Sequence, residues 1–292
     1  MSRSLPKAMT YPVMSERVPT DFLACHPSSI LVEIVGTKGS APRASGTFML
    51  VAENAIWGTI GGGQLEFMAI NNARALLGGE GMSIMDVPLG PQIGQCCGGH
   101  TTLSFTVMSP ELGSLVEERV TREMAKSPAV FLYGAGHVGL ALARALVPLP
   151  LSVTVIETRG EPLAMLPAGV ATRHAAMPEA TIADIPSGGA AVVLTHDHAL
   201  DFLITREALM RPDLRYVGMI GSLTKRATFT NWLRREGGAP DLVDRLVLPI
   251  GGNIVKDSRP AVIAAMVAVE LLTIFNCNNA INDTITDRAD DT

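Results

Sequence analysis

The sequence predicts an α/β protein: a small N-terminal α/β domain followed by a C-terminal Rossmann-like, doubly wound parallel sheet. Three observations carry this. From residue 129 onward, short apolar strands alternate with helical patterns, the order that builds a parallel sheet. The first of those strands runs straight into Gly134-Ala-Gly-His-Val-Gly139, an apolar helix, and a strand ending in Glu157. Ahead of residue 110 the pattern differs: strands follow one another through short turns, and three consecutive glycines open a helix. The expected boundaries are 1–110 for the first domain, 111–127 for a helical linker and 128–292 for the second domain.

Size and composition agree. A chain of 292 residues accommodates two ordinary domains. A hydrophobic content of 47% with 28 glycines fits a well-packed α/β protein. Only 17% of residues are charged and the net charge is −5, which argues against a nucleic-acid or anionic-lipid partner. The first residues carry Arg3, Lys7, Glu16 and Arg17 with no apolar stretch, so no signal peptide is expected. The most apolar run, Ala261–Phe275, is too short to span a membrane and contains Glu270, so it reads as a buried helix. Four cysteines make no disulfide framework; a reducing, cytoplasmic location is expected.

In the first domain, residues 1–28 read as a loose arm with a short helix around Thr20–Ala24. Ser29–Val35 is a β-branched and apolar strand, ended by the turn-rich loop Gly36–Arg43 with its two cations, Lys38 and Arg43. Thr47–Val51 and Ala55–Ile60 are two more strands. Gly61, Gly62 and Gly63 then lead into a helix, Gln64–Leu77, with Leu65, Met68, Ala69, Ala73 and Leu76 on one face. A glycine run at a helix start presents unpaired N–H groups at the positive dipole end and suits an anion such as a phosphate; it is equally a tight strand-to-helix turn with no ligand. Glu66, in the first turn, either favours the dipole or hydrogen-bonds a ligand.

The stretch Gly90-Pro-Gln-Ile-Gly-Gln-Cys-Cys-Gly-Gly-His100 places two adjacent thiols, Cys96 and Cys97, in a glycine-rich loop flanked by Gln92 and Gln95, ahead of the strand Thr101–Val107. A thiolate binds a soft metal or carries sulfur; a free cysteine is also a common small buried hydrophobe. A structural zinc site is disfavoured, because Cys25 and Cys277 belong to no CxxC pair.

In the second domain, strand, GxGxxG, helix, strand and terminal acid form the dinucleotide fingerprint in its required context. Gly134 makes the turn, Gly136 admits a pyrophosphate and His137 is counted with them as a nucleotide contact; Gly139 allows helix–strand packing, and Glu157 is placed for a ribose hydroxyl. Ala171–His174, Ala190–Thr195, Arg215–Ile220 and Arg245–Leu248 supply further strands, and Ala261–Phe275 the closing helix, with Asp257 or Ser258 as candidate caps. Ligands of such sheets bind beyond the carboxyl ends of the strands. That rim includes Thr195-His-Asp-His198, Asp201, Ser222 and Lys225. His196, His198 and Asp201 are metal-ligand types in no closed zinc spacing, and Asp197 or Asp201 equally caps the next helix. Ser222 and Lys225 either hold an anion or, for Lys225, form a solvated surface charge.

Six segments, taken in order, resemble the xanthine dehydrogenase accessory proteins of the XdhC/CoxI family. They are Gly39-Ser-Ala-Pro-Arg43, Gly58-Thr-Ile-Gly-Gly-Gly-Gln-Leu-Glu66, Gly94-Gln-Cys-Cys-Gly-Gly99, Gly134-Ala-Gly-His-Val-Gly139, Thr195-His-Asp-His198 and Gly218-Met-Ile-Gly-Ser222 with Lys225. The resemblance implies a carrier of the molybdenum cofactor. Such a carrier supports cofactor sulfuration with a cysteine desulfurase and inserts the product into xanthine dehydrogenase or a related molybdenum hydroxylase, without turnover chemistry of its own. It implies that Cys96 and Cys97 meet molybdenum or carry a transient persulfide, that Gln95 and Glu66 hydrogen-bond the pterin, and that Gly61–Gly63 and Arg43 contact the phosphate. An NAD(P) molecule in the second domain and a homodimer are both compatible with it. Two departures stand out: Leu223 where the family usually has arginine, and Asn253 and Val255 where aspartate and glycine are common. The rival from another class is an NAD(P)-dependent oxidoreductase using His196, His198 or Lys225, against which stands the lack of a Tyr-x-x-x-Lys pair near the rim.

Overall fold

The structure, a computed structural model, describes residues 13–14, 18–90 and 98–276. The chain divides into two compact units, Met1–Arg122 and Glu123–Thr292. None of the described helices is long and apolar enough to cross a membrane.

The first unit is built on a six-stranded sheet. Its strands are β1 (Val13–Met14), β2 (Ile30–Lys38), β3 (Phe48–Val51), β4 (Ile56–Gly58), β5 (Ile84–Leu89) and β6 (Gly99–Val107), in the order β1-β4-β3-β2-β6-β5. All neighbours are antiparallel except β1, which runs parallel to β4. Alternation along β2 sends Ile30, Val32 and Ile34 to one face, where they pack with Leu65, Ala69, Ile70 and Ala73 of α2 (Gly63–Leu77). Leu31 faces the other way and joins Leu50, Trp57, Phe22 of α1 (Thr20–Cys25) and Val116 of α3 (Pro110–Ala125). Arg119 of α3 reaches Glu33 at 2.7 Å and lies 5.0 Å from the centre of the Phe48 ring, which ties that helix to the sheet. The division between the units falls inside α3.

Three elements differ from the sequence reading. Val13–Met14, expected in a loose arm, is a strand. Strand β2 does not end at Gly36 but continues to Lys38 across a register shift, because Gly36, Thr37 and Lys38 pair with Thr102, Thr101 and His100 of β6. Strand β5 was not anticipated: it pairs only with β6, carries Pro88 as an edge strand tolerates, and buries only Val87 and Leu89.

In the second unit β7 (Ala129–Tyr133), β8 (Ser152–Glu157), β9 (Ala171–His174), β10 (Ala190–Val193), β11 (Tyr216–Met219) and β12 (Leu246–Val247) form an all-parallel sheet in the order β12-β11-β10-β7-β8-β9. This is the doubly wound order, and it reverses direction between β7 and β10. Helices α4 (His137–Leu146) and α8 (Pro260–Asn276) cover one face with Val130, Leu132, Val153 and Val155. Helices α6 (His198–Leu209) and α7 (Leu223–Arg235) cover the other with Phe131, Tyr133, Ala191 and Val193. Strand β10 is buried on both faces, which is why it reads as a continuous apolar run. The short α5 (Gly160–Leu163) follows β8.

Candidate functional site

The crevice at the β7/β10 switch point brings together most of the residues expected there. Gly134 has φ +118°, and a Cβ on it would meet the Leu194 carbonyl oxygen at 2.6 Å. A Cβ on Gly139 would lie 2.0 Å from the Gly134 oxygen, whereas one on Gly136 would meet nothing within 4 Å. The turn therefore forces α4 hard against the strand and leaves open space beside Gly136. Among the described residues, the N–H groups of Gly136, His137 and Val138 have no partner, so the positive end of α4 faces that space. A cleft of about 250 Å³ is lined by residues that include Gly136, His137, Glu157, Arg159, His196 and Ile220. Ile220 also borders a second cleft of about 360 Å³ beneath the Pro249–Ser258 segment, where the departures Asn253 and Val255 lie. Gly139→Ala is expected to abolish nucleotide binding to this crevice, because backbone, not a flexible side chain, occupies the Cβ position; titration of NAD(H) and NADP(H) against the variant checks it.

Two rim residues are engaged elsewhere. Asp201 has no exposed surface; it accepts from Thr195 N–H at 3.0 Å, Thr195 Oγ1 at 2.6 Å and Lys225 Nζ at 2.5 Å. Lys225 also donates to the Ile220 carbonyl at 2.9 Å and is only 11% exposed. Lys225 is thus an internal cation that ties the loop after β11 to the loop after β10, not a solvated charge, and neither it nor Ser222 lines the cleft. Ser222 caps α7 through the Lys225 N–H. Asp197 caps α6, and the N–H groups of Leu200 and Ala199 hold its carboxyl below the usual carboxylate range. Asp201 is occupied by this network, and no group of three metal-ligating side chains occurs among the described residues. The metal alternative for His196, His198 and Asp201 is not supported.

In the first unit, the glycine turn, the Gly39–Arg43 loop and the base of the thiol loop meet at one end of the sheet. Ser40 pairs with Gly98 in a bridge, and a Cβ on Gly99 would strike the Ser40 carbonyl oxygen at 2.1 Å. The same loop reaches the turn: a Cβ on Gly61 would meet Pro42 at 3.1 Å and the Arg43 stem at 3.3 Å. The guanidinium of Arg43 belongs to an exposed residue. Gly98 N–H donates to Leu89 O at 2.9 Å and closes the β5–β6 hairpin at the foot of the loop. Gln95, Cys96 and Cys97 lie outside the described residues.

The turn itself corrects an expectation. The Glu66 carboxylate accepts from Thr59 Oγ1 and from the N–H groups of Ile60 and Gly62, both at 3.1 Å. Gly61 N–H donates to Thr59 Oγ1 at 3.1 Å. Of the amides expected to cradle a phosphate, Gly62 N–H is therefore taken by the Glu66 carboxylate and Gly61 N–H by the Thr59 hydroxyl; of the three glycines, only Gly63 lies beyond this network. A phosphate in the turn would face Glu66 at close range, and Glu66 itself is a turn-former before it is a pterin contact. Sequence reasoning also passed over Asp86, which accepts from Thr102 at 2.6 Å and lies 3.5 Å from His100 beside the thiol loop. The hydrogen bond from Thr102, with lesser help from His100 and Lys38, outweighs desolvation and holds the Asp86 carboxyl low. Only the cross-strand pairing of β5 could have revealed it.

A mixed-sheet unit followed by a unit with the Rossmann strand order and an open glycine loop defines a two-unit α/β protein. Residues 26–87 match the XdhC and CoxI family and residues 130–271 match the XdhC Rossmann domain; the chain belongs to this family. The YqeB protein of Escherichia coli (strain K12) is 26% identical over 254 residues, which cover 84% of this chain and 43% of that protein. The chain thus spans less than half the length of this curated relative. A crystal structure from Bacillus halodurans described as a xanthine dehydrogenase superposes with a TM-score of 0.70 at 15% identity, covering 88% of this chain and 94% of that one. That likeness is one of fold.

Proposed function

We propose that this chain binds the molybdenum cofactor in its first unit, supports its sulfuration with a cysteine desulfurase, and delivers it to xanthine dehydrogenase or a related molybdenum hydroxylase in the cytoplasm. The observation that carries the reading is the packing of the Gly39–Arg43 loop against both the glycine turn and the foot of the Cys96–Cys97 loop. Segments more than fifty residues apart in sequence are thereby gathered around one patch. The bound cofactor would supply the molybdenum–dithiolene chemistry; the chain supplies soft thiol donors, amide groups and a cation. Because Glu66 fills the glycine turn, the cofactor's phosphate is assigned to Arg43 and not to the Gly61 and Gly62 amides.

In the second unit, the unpaired amides of α4 and the open space at Gly136 suit a nucleotide's pyrophosphate. The rival oxidoreductase reading needs a proton donor at that crevice. Of the two described tyrosines, Tyr133 is bonded to Thr181, and burial pushes its hydroxyl well above the ordinary range. Tyr216 donates to Glu270 at 2.8 Å and is likewise pushed up by burial, with Glu270 adding to the shift. Lys225 is held by Asp201. The crevice is accordingly proposed as a binding site; of the rival reading's acid–base groups Lys225 is engaged, whereas His196 lines the cleft, and a redox assay with NAD(H) and NADP(H) separates the two readings.

The test is chemical analysis of the chain purified from cells that make the cofactor. Molybdenum by mass spectrometry and pterin by fluorescence are expected near one per chain. Neither above background, from cells whose hydroxylases are fully loaded, would overturn the reading.

A further inference from the structure

The end of β8 is where a dinucleotide fold reads the ribose of the adenosine half: a free carboxylate there accepts from a 2′-hydroxyl, whereas a nearby arginine accommodates a 2′-phosphate. Glu157 stands at that position, yet its carboxylate is fully employed by the protein. Its Oε2 accepts from Ala135 N–H at 2.9 Å and Arg159 Nη2 at 3.4 Å. Its Oε1 accepts from Thr158 N–H at 3.0 Å, Thr158 Oγ1 at 3.2 Å, Arg159 N–H at 3.3 Å and Arg159 Nε at 3.2 Å. With about two lone pairs on each oxygen, no acceptor remains for a sugar hydroxyl. Burial raises the Glu157 carboxyl, but the hydrogen bonds from Arg159 and Ala135 outweigh it, so the group stays ionised and paired.

Arg159 is the other half of the arrangement. It borders the cleft, is 52% exposed, and holds Glu157 with only its Nε–Nη2 edge. The Nη1 group and the second Nη2 proton have no partner among the described residues. They form the end-on fork that fits a phosphate bidentately. The Glu157–Arg159 pair has no net charge, so it presents no repulsion to an incoming dianion. His174 Nε2, 3.0 Å from Thr158 O, places an imidazole on the same strand ends.

We infer that the crevice selects an adenine dinucleotide carrying a 2′-phosphate, NADP(H) over NAD(H), and that Arg159 is the group that holds this phosphate. The inference rests on the reading of the crevice as a nucleotide site.

The experiment titrates the full chain with NADPH and with NADH, followed by calorimetry. NADPH is expected to bind at least about tenfold more tightly, the equivalent of one further charge-assisted contact. Arg159→Ala should lose that margin by weakening NADPH, with NADH affinity held or raised because Glu157 Oε2 is then left with Ala135 N–H alone, and Arg159→Lys should recover part of the margin. Circular dichroism of each variant confirms that the unit is folded. Equal or tighter binding of NADH by the unsubstituted chain would overturn the inference and leave the nucleotide site standing. An Arg159→Ala variant that loses both ligands alike, while folded, would overturn it too, since Arg159 would then only hold the glycine loop through Glu157. If neither dinucleotide binds, the nucleotide reading itself is removed, without touching the thiol-loop proposal.

Discussion

Replacing both Cys96 and Cys97 with alanine is expected to strip molybdenum and pterin from the purified chain to below a tenth of the unsubstituted level, on the order of 1.4 kcal/mol or more in retained affinity. The thermal midpoint should move by no more than about 2–4 °C, the equivalent of roughly 1 kcal/mol for a chain of this size. Two arguments lead there. Among the residues the family resemblance assigns to the cofactor, only the cysteines are soft donors matched to a molybdenum–dithiolene centre; Arg43, Gln95 and Glu66 offer hydrogen bonds and charge. The β5–β6 hairpin, whose strands flank residues 91–97 in sequence, is closed by main-chain groups, Gly98 N–H to Leu89 O, and by its own ladder, so its described contacts use no cysteine side chain. The single variants should each retain part of the cofactor if the thiols share the metal. Full molybdenum occupancy in the double variant would remove the thiols from the mechanism.

Asp201→Ala is expected to destabilise the second unit by about 3–5 kcal/mol, measured by urea unfolding. The carboxylate it removes is wholly buried and satisfies three donors, two on Thr195 in the loop after β10 and one on Lys225 in the first turn of α7. Its loss leaves the Lys225 ammonium, 11% exposed, with only the Ile220 carbonyl for company, and orphans the Thr195 main-chain donor. Asp201→Ala with Lys225→Met should be markedly more stable than Asp201→Ala alone, because the uncompensated charge is gone. If the single substitution changes stability by less than about 1 kcal/mol, the pair is not the internal clamp described here. The same clamp positions Thr195, His196 and Ile220 along the cleft, so a folded Asp201 variant should also bind NADPH more weakly.

Much of this protein is legible in order along the chain. The Rossmann unit was, because its evidence is local: a strand, a glycine turn and a helix are contiguous, and Gly134 and Gly139 are required by atoms a few residues away or on the next strand. Its buried strands are continuous apolar runs for the same reason that they are buried, covered on both faces. The edge strand β5 was not legible, since half of its side chains face solvent and its partner supplies the register.

By itself the sequence determined the fold class, the parallel character of the second sheet and the family segments. What only the tertiary structure decided is which of those groups are still free to act. Two glycine-rich helix starts look alike in the sequence, yet the one at α2 is filled by Glu66 and the one at α4 is open. Lys225 and Glu157 read as ligand contacts, yet Asp201 holds one, and Arg159 and the glycine loop hold the other. A hydrogen-bonding group has a small, fixed capacity, and whether neighbours consume it depends on distances of about 3 Å set by packing. Residue type states what a group can do, and three-dimensional placement states what remains for a ligand.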